Sequence, residues 1–534
     1  MKLSSLPIAI ITILLSIVHA TSDSSSLDNF LQCFPNHISQ SSTPISSLIF
    51  TPDNRLFTSL LLNRTSNRRY TTPTTPKPLA IVAAQNPSHV QATIICAKSH
   101  GLQIRIRSGG HDYEGLSYVS QVPFIVLDMF DLNSIQIDIR NETALVQAGA
   151  TMGEVYYNVA KESHVHAFPA GIGLTLGAGG HISGGGYGNL MRKYGLSIDN
   201  IVDAELVDVN GRILNRKTMG EDLFWAIRGG GAASFGVVLS WKIRLVSVPP
   251  QVTVFGVKKT LEEGAADLLY KWQLIASELD EDLFVRVRSL VINGIQEGKK
   301  TIRVFFIGQF LGKIDRLVSL MNKSFPELGL KESDCTEMPW VNSTLFWADY
   351  PIGTSLDELL AQHKRPTEFF KSKSDYVKEP IPKSAIESMW KLMIEGEKMR
   401  MEWNPYGGKM HEISPSETPF PHRAGNLFLV QYYTHWDEEG VQEINHYMKF
   451  SRLVYEFMAP YVSKSPREAF LNYRDLDIGA NPSNATSMEA ANIYGRKYFK
   501  DNFERLVQVK TWVDPDNFFK HEQSIPPHLL QLQN

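Results

Sequence analysis

The segment from Gly177 to Gly188, which reads GAGGHISGGGYG, constrains the fold more than any other part of the chain. Glycine has no Cβ, so such a backbone can approach a flat or anionic ligand and present its N–H groups to it. Ile182 and Tyr187 within the run argue against a flexible linker. The run is not a Rossmann fingerprint, since Ile182 takes the third glycine position, and no Gly-Lys-Ser/Thr follows as in a P-loop.

Two further glycine clusters, at Ser108–Tyr113 and Arg228–Gly231, indicate that several loops wrap one long cofactor. Taken alone, His111 in the first cluster is most simply a hydrogen-bonded loop histidine. The chain has no His-Glu-x-x-His or Cys-x-x-Cys arrangement for a metal and no Gly-x-Ser-x-Gly elbow for a hydrolase. These patterns predict a globular protein that binds a cofactor but no metal.

Hydrophobic patterning predicts strands mixed with helices, and therefore an α+β fold. A helix is expected over 89–97, and more helices between and after the later strands. The predicted strands are 79–82, 102–107, 124–128, 144–148, 252–257 and 301–307.

The 534 residues are enough for two or three domains, and 43% hydrophobic with 20% charged residues is an ordinary globular balance. A net charge of −3 gives no basic excess for nucleic acid. Lys2 precedes the apolar run Leu6–Val18, and the segment Val18-His19-Ala20 that ends it has the small residues of a cleavage site. This pattern predicts a secretory signal peptide over 1–20. Since the run is too short to span a bilayer and no later stretch is apolar enough, no membrane association is expected after its removal.

Secretion predicts oxidised cysteines and sugars. The three cysteines, Cys33, Cys96 and Cys335, allow one disulfide with one thiol left over. A Cys33–Cys96 bond would tie the mature N-terminus to the first domain, but the residues alone leave the pairing open. Sequons for N-glycosylation occur at Asn63, Asn141, Asn322, Asn342 and Asn484.

Five segments together resemble the berberine bridge enzyme family of plant FAD-linked oxidases, which includes the cannabinoid-forming oxidases. They are Arg107–Gly115, Gly177–Gly188, Met219–Gly231, Asn472–Asp477 and Asp514–Phe519. The resemblance covers nearly all of the mature chain. It implies a two-lobed α+β fold of the FAD-linked oxidase (PCMH) type. Residues 21–250 and 466–534 would form the FAD domain, and 251–465 a substrate domain with an antiparallel sheet covered by helices.

The resemblance implies that FAD is attached covalently through His111 and that the glycine loops hold its pyrophosphate and ring. It also implies the Cys33–Cys96 disulfide. The further residues expected to bind the cofactor are Ser108, Gly109, Gly110, Gly173, Thr175, Gly180, His181, Gly184, Gly185, Tyr187 and Asn517.

Two departures from the family affect the flavin. Many members attach FAD a second time through a cysteine, and Gly173 stands at that position, so a single covalent link is expected. In related members a valine at the position of Leu176 leaves room for O2. Leu176 therefore predicts slow reaction with O2 and another electron acceptor, although the missing bulk at Gly173 could offset this.

A third departure concerns the catalytic base. Gln431 stands where the berberine-forming member has a glutamate, and glutamine cannot accept a proton at neutral pH. Leu429 stands where some relatives carry lysine or glutamate. Tyr473 becomes the leading candidate for the base, with Tyr113 and Tyr187 supporting or orienting it. Tyr473 could equally be an aromatic wall.

The expected reaction is hydride transfer to FAD from a small, mostly apolar metabolite such as an alkaloid or a phenolic. One alternative is oxidation of a monolignol or carbohydrate alcohol, and another is a flavin-dependent cyclisation. A non-enzymatic flavoprotein for storage or recognition stays open as well. We expect a monomer whose reduced flavin passes its electrons to O2 or to another acceptor. The expected compartment is the apoplast, a vacuole or an ER-derived vesicle.

Overall fold

The structure is a computed structural model that describes residues 25–38, 44–361, 368–482 and 485–528. The predicted signal peptide and the sequon at Asn484 lie outside the described residues. The strands, in chain order, are β1 (Ile49–Phe50), β2 (Ala80–Ala83), β3 (Gln103–Arg107), β4 (Phe124–Asp128), β5 (Ile135–Asp138), β6 (Thr143–Gln147), β7 (His166–Ala167), β8 (Ile201–Val207), β9 (Ile213–Leu214), β10 (Val237–Arg244), β11 (Val246–Ser247), β12 (Val252–Thr260), β13 (Leu283–Asn293), β14 (Lys300–Phe310), β15 (Cys335–Met338), β16 (Phe369–Val377), β17 (Met399–Pro405) and β18 (Phe428–Trp436).

The α-helices lie between these strands and after them. In chain order they are α1 (25–33), α2 (Phe57–Leu62), α3 (Pro87–Ser99), α4 (Met152–Glu162), α5 (Ala178–Ser183), α6 (Met191–Tyr194), α7 (Arg216–Ile227, kinked at Gly220), α8 (Ala265–Ile275), α9 (Ile314–Ser324), α10 (Trp340–Trp347), α11 (Lys383–Gly396), α12 (Lys409–Glu412), α13 (Val441–Met458), α14 (Met488–Phe499) and α15 (Asn502–Val513).

A small sheet near the start of the chain has the order β1-β2-β4-β3, in which β2, β4 and β3 run parallel. The helix α3 joins β2 to β3, and the Asn86 side chain caps its first turn. All residues of β2 and β4 are buried, as expected when a parallel sheet is covered on both faces. The strand β3 ends at Arg107, so the Ser108–Tyr113 loop leaves the carboxyl end of a parallel strand, where ligands commonly bind.

An antiparallel sheet of order β5-β6-β10-β8-β9 lies beside it. The short helix α5, formed by the glycine run, contacts β6 and β10 of this sheet. Ala148 follows β6 directly, and its carbonyl oxygen accepts a hydrogen bond of 2.5 Å from the hydroxyl of Ser108. This contact brings the first glycine loop against the edge of the second sheet.

The middle of the chain forms an antiparallel sheet of order β15-β12-β14-β13-β17-β18-β16. Helices α8, α11 and α13 pack together, and α11 and α13 contact its strands. Every residue of β16 is buried, although this strand reads FFKSKSDYV and carries several charges. Such burial requires charged partners on neighbouring segments.

The C-terminal segment returns to the N-terminal half through a buried ammonium group. Lys510 on α15 donates hydrogen bonds to the Ser234 carbonyl at 2.6 Å, to Asp514 at 2.6 Å and to the Phe519 carbonyl at 2.7 Å. Its side chain is fully buried. The segment around Ser234 and the end of the chain are thereby held together.

The α+β class is confirmed, and each strand predicted from the sequence coincides with an observed strand to within a few residues. The helix predicted over 89–97 lies inside α3. The domain boundaries at 250 and 465 stay a prediction. In the part of the chain that the structure describes, no helix is both long and apolar enough to cross a membrane.

Cys33 and Cys96 form the disulfide that the resemblance implied, and it joins positions 63 residues apart. Cys33 ends α1 and Cys96 lies in α3. The free thiol, Cys335, is half-buried at the start of β15. The bond therefore fixes the first described helix to the parallel sheet.

Replacing Cys33 and Cys96 together by serine should lower the free energy of unfolding by about 2–5 kcal/mol, because the bond closes a long loop in the unfolded chain. Thermal or denaturant unfolding measures the change. The variant Cys335→Ser is the control and should stay within about 0.5 kcal/mol of the wild type. Equal stability of the double variant and the control would contradict this structural role.

Candidate cofactor and substrate site

A cavity of about 650 Å³ opens between the glycine loops, the seven-stranded sheet and the C-terminal segment. It brings together most of the residues that the sequence predicted for the site. These are Ser108, Gly109, Gly110, His111, Tyr113, Gly173, Thr175, Leu176, Gly180, His181, Gly184, Tyr187, Gln431 and Tyr473. Two predicted residues do not line it: Gly185 packs towards Phe420 and Phe470, and Asn517 donates to Thr486.

One wall of the cavity is formed by backbone lying directly on backbone. A Cβ at Gly109 would overlap the backbone nitrogen of Gly177, and a Cβ at Gly177 would overlap Gly109 and the Ser108 hydroxyl. By contrast, a Cβ at Gly180 would meet nothing within 4 Å and Gly180 faces the cavity. The wall thus leaves room for a ligand that lies close to the main chain.

His111 lies at the end of the first glycine loop, half-buried against the second. Its Nε2 lies 2.9 Å from the hydroxyl of Thr175, so one of the two groups donates to the other. The ring therefore has a fixed orientation where it lines the cavity. This placement suits a covalent attachment point as well as a hydrogen-bonding residue.

The side chain of Leu176 fills the space beside Gly173. A Cβ at Gly173 would lie 3.0 Å from both Cγ and Cδ1 of Leu176, which is tighter than most Cβ contacts. A cysteine at 173 would have to displace this leucine. Leu176 therefore occupies part of the space that a side chain at position 173 would need.

His181 holds the loop that carries these two residues. Its Nε2 accepts a hydrogen bond from the N–H of Gly171 at 2.9 Å. Burial lowers the pKa of His181 to about 4, so the ring is neutral and carries its proton on Nδ1. A neutral histidine can thus support the loop from Gly171 to Leu176 without placing a charge beside the cavity.

Three tyrosines and a glutamine meet on the side of the cavity nearest the seven-stranded sheet. Tyr113 and Tyr473 are stacked, with centroids 5.7 Å apart and planes 9° from parallel. The hydroxyls of Tyr473 and Tyr187 are hydrogen-bonded to each other. Gln431 donates to the Tyr113 hydroxyl at 3.2 Å and to Ser372 at 3.1 Å. These contacts fix the positions of all three rings.

The surroundings of the paired hydroxyls of Tyr187 and Tyr473 act differently on their pKa values. Burial raises the pKa of Tyr473 well above its ordinary value, and the neighbouring Tyr187 and Tyr113 raise it further. Burial also raises the pKa of Tyr187, but the charge of Arg286 and the hydrogen bond from Tyr473 oppose the rise. Arg286 and the hydrogen bond from Tyr473 thus counteract part of the effect of burial on the pKa of Tyr187.

Sequence reasoning missed a group of charged residues from the seven-stranded sheet that also line the cavity. Arg288 on β13 donates to Glu402 on β17 at 2.7 Å and to Asp349 at 3.1 Å. Arg286 is buried, and Arg400 is partly exposed over the ring of Tyr433. Charged residues two apart, as in Arg286-Val-Arg288 and Arg400-Met-Glu402, share one face of a strand, and this spacing was the signal available.

At another part of the cavity wall, two arginine side chains have N–H groups that donate no hydrogen bond among the described residues. Arg105 binds Glu522 at 3.0 Å and Arg474 binds Asp112 at 3.2 Å. Nη1 of both arginines is nevertheless buried with no hydrogen-bond partner among the described residues. Buried donors normally have partners, so these two fit an acceptor-rich ligand such as a dinucleotide. Together with the glycine wall, they make the cavity suitable for FAD.

Comparison with known families agrees with this geometry. Residues 78–216 match the model described as FAD binding domain, and residues 469–526 match the model described as Berberine and berberine like. The first match contains both glycine loops and the second contains Tyr473. The two matched segments thus both line one cavity.

Known proteins match along nearly the whole chain. Berberine bridge enzyme-like 4 of Arabidopsis thaliana is 54% identical over 525 residues, covering 98% of this chain and 99% of that protein. The solved structure of BBE-like #28 from Arabidopsis thaliana has 46% identity and a TM-score of 0.87, covering 94% of this chain and 99% of that one. Phl p 4, a grass pollen allergen with glucose dehydrogenase activity, has 40% identity and a TM-score of 0.88, covering 93% and 99%.

Proposed function

The chain belongs to the berberine bridge enzyme-like family of FAD-dependent oxidoreductases, and we propose that it oxidises an alcohol group of a carbohydrate. The observation that carries this proposal is the set of charged side chains on the substrate side of the cavity: Arg286, Arg288, Arg400, Glu402 and Asp349. Guanidinium donors and a carboxylate acceptor suit a substrate with many hydroxyls. The glucose dehydrogenase activity of Phl p 4 supports the same class.

The alkaloid or phenolic substrate expected from the sequence has less support. That expectation rested partly on Leu429, which is buried and does not line the cavity, so it does not make the cavity apolar. Three arginines face two carboxylates there, and this excess positive charge disfavours a protonated amine. One oxygen of Glu402, Oε2, is buried without a hydrogen-bond partner among the described residues, and a sugar hydroxyl would satisfy it.

Bound FAD supplies the acceptor for the hydride that leaves the carbinol carbon. The chain's own residues must take the hydroxyl proton and orient the alcohol. We assign proton acceptance to Tyr187 rather than Tyr473, because Arg286 and the Tyr473 hydroxyl stabilise the Tyr187 phenolate. Gln431 cannot accept a proton and instead holds the hydroxyl of Tyr113. An alcohol oxidation can therefore proceed without the missing carboxylate base.

The substrate class is tested by anaerobic mixing with neutral aldoses, aldoses that bear a carboxylate, a monolignol and an alkaloid amine. Bleaching of the flavin band should be at least about tenfold faster with the aldoses. Arg400→Met should lower kcat/KM for them about tenfold, the loss expected for one hydrogen bond to a charged group. The control, Arg303→Met, alters an arginine of the same sheet that does not line the cavity. Faster bleaching by the amine would refute the proposal.

We further propose that Leu176 hinders O2, so that another acceptor reoxidises the flavin. Its support is the packing of Leu176 against Gly173, which fills the cavity wall at that point. In the same experiment, admission of O2 should reoxidise Leu176→Val at least about tenfold faster than the wild type. Equal reoxidation rates would remove Leu176 from this role.

The proton-acceptor assignment predicts a pH dependence. Because burial raises the pKa of Tyr187, the rate of substrate oxidation should rise as the pH increases on the alkaline side of neutral. Tyr187→Phe should lower kcat by about 10²–10⁴-fold and abolish this rise. Tyr113→Phe leaves the Tyr187–Tyr473 pair intact and should lower kcat less than about tenfold. A pH profile that survives in Tyr187→Phe would assign the proton to another group.

We propose that His111 carries FAD through a single covalent link. No cysteine lines the cavity, since Cys33 and Cys96 are bonded to each other and Cys335 lies on β15. His111→Ala should therefore release all flavin on acid precipitation, whereas Cys335→Ser should keep it in the pellet. Flavin that remains with the His111→Ala pellet would mean a second link.

The compartment and the oligomeric state are also proposals. The apolar N-terminal run, the disulfide, and the exposed sequons at Asn63, Asn141 and Asn322 support passage through the secretory pathway to the apoplast, a vacuole or an ER-derived vesicle. We expect a monomer with its N-terminus at residue 21. N-terminal sequencing and the mass of the purified protein decide both points.

A further inference from the structure

Two buried lysines connect the seven-stranded sheet to both other parts of the cavity wall. Lys371 and Lys373 are two residues apart on β16, so their side chains lie on one face of the strand. Both side chains are 1% exposed. Lys371 forms ion pairs with Glu114 and with Asp475, the latter at 2.6 Å. Lys373 binds Asp475 at 2.7 Å but forms no ion pair with Glu114 among the described residues.

The partners of Lys371 are next to the residues of the catalytic tyrosine group. Glu114 follows Tyr113 directly, and Asp475 lies two residues after Tyr473. Within β16, Phe370 packs edge-on against Tyr113 with centroids 5.2 Å apart. Ser372 accepts the hydrogen bond from Gln431. One ammonium group therefore joins the segments that carry all of these side chains.

Three carboxylates and four cations form one network around Lys371. The carboxylates are Glu114, Asp475 and Asp477, and the cations that face them are Lys371, Lys373, Arg69 and Arg452. Burial alone would lower the pKa of Lys371, but Glu114, Asp475 and Asp477 outweigh it and raise the pKa, so the ammonium stays charged. Removing one member of such a network leaves buried charge uncompensated.

We propose that Lys371 is a positioning residue that holds Tyr113 and Tyr473 in their parallel stack, and thereby aims the Tyr473 hydroxyl at Tyr187. Lys371 touches none of the three rings' hydroxyls and acts through Glu114 and Asp475. Lys373 lacks the link to the Tyr113 segment, so its loss should not separate the two rings. The kinetic consequence rests on the function proposed above for the tyrosine pair, whereas the ring geometry does not.

The kinetic test compares Lys371→Met with Lys373→Met, two variants matched in strand, burial and lost charge. Lys371→Met should lower the limiting rate of flavin reduction by sugar about 100-fold, since small displacements of reacting groups have effects of that size. KM should change less than about threefold. Lys373→Met should lower the rate less than about fivefold, while both variants lose comparable thermal stability. Equal rate losses in the two variants would overturn the proposal.

Crystal structures of the wild type and the two variants test the ring geometry without any substrate. The parallel stack should be lost in Lys371→Met and kept in Lys373→Met; an unchanged stack in Lys371→Met refutes the inference. If that variant does not fold, Lys371→Arg keeps the charge but inserts a wider, planar group. It should displace the stack and slow reduction about tenfold, and wild-type geometry and rate would refute the inference. Should no sugar bleach the wild type, the proposed function fails, and the stack still decides the role of Lys371.

Discussion

The contact between the two glycine loops is the constraint on which the rest of the site depends. Gly109 and Gly177 lie so close that neither position has room for a Cβ. This packing sets the distance between the end of β3 and the start of α5, and therefore where His111 and Thr175 meet. A ligand held on this wall is contacted largely by main chain, which explains why the sequence uses glycine there rather than a set of charged side chains.

Sequence reasoning succeeded where the signal was local. The buried strands near the N-terminus, the helix α3 and the glycine loops follow from periodicity and from residues adjacent in the chain. Of the residues that the family resemblance placed at the site, Gly185 and Asn517 do not line the cavity. Their neighbours in the sequence do so, and a motif by itself does not determine which of its members faces inward.

The charged residues that the seven-stranded sheet contributes to the cavity could not be predicted in the same way. Arg288 meets Glu402 only because β13 pairs with β17 in a particular register, across more than a hundred residues of chain. Likewise, the charge that opposes the rise in the pKa of Tyr187 comes from Arg286, which lies on a distant strand. Interactions of this kind depend on tertiary packing, so the residues alone could not show which charged groups surround each tyrosine of the pair.

The return of the C-terminal segment has a consequence for how the protein is made. Lys510 binds the carbonyls of Ser234 and Phe519, and Tyr473, Arg474 and His521 complete the cavity. The glycine loops precede Tyr473, Arg474 and His521 by some hundreds of residues in the chain, so the part of the wall that these three residues form is synthesised last. A ligand in this cavity can therefore be fully surrounded only once the C-terminal segment has folded back onto the N-terminal half.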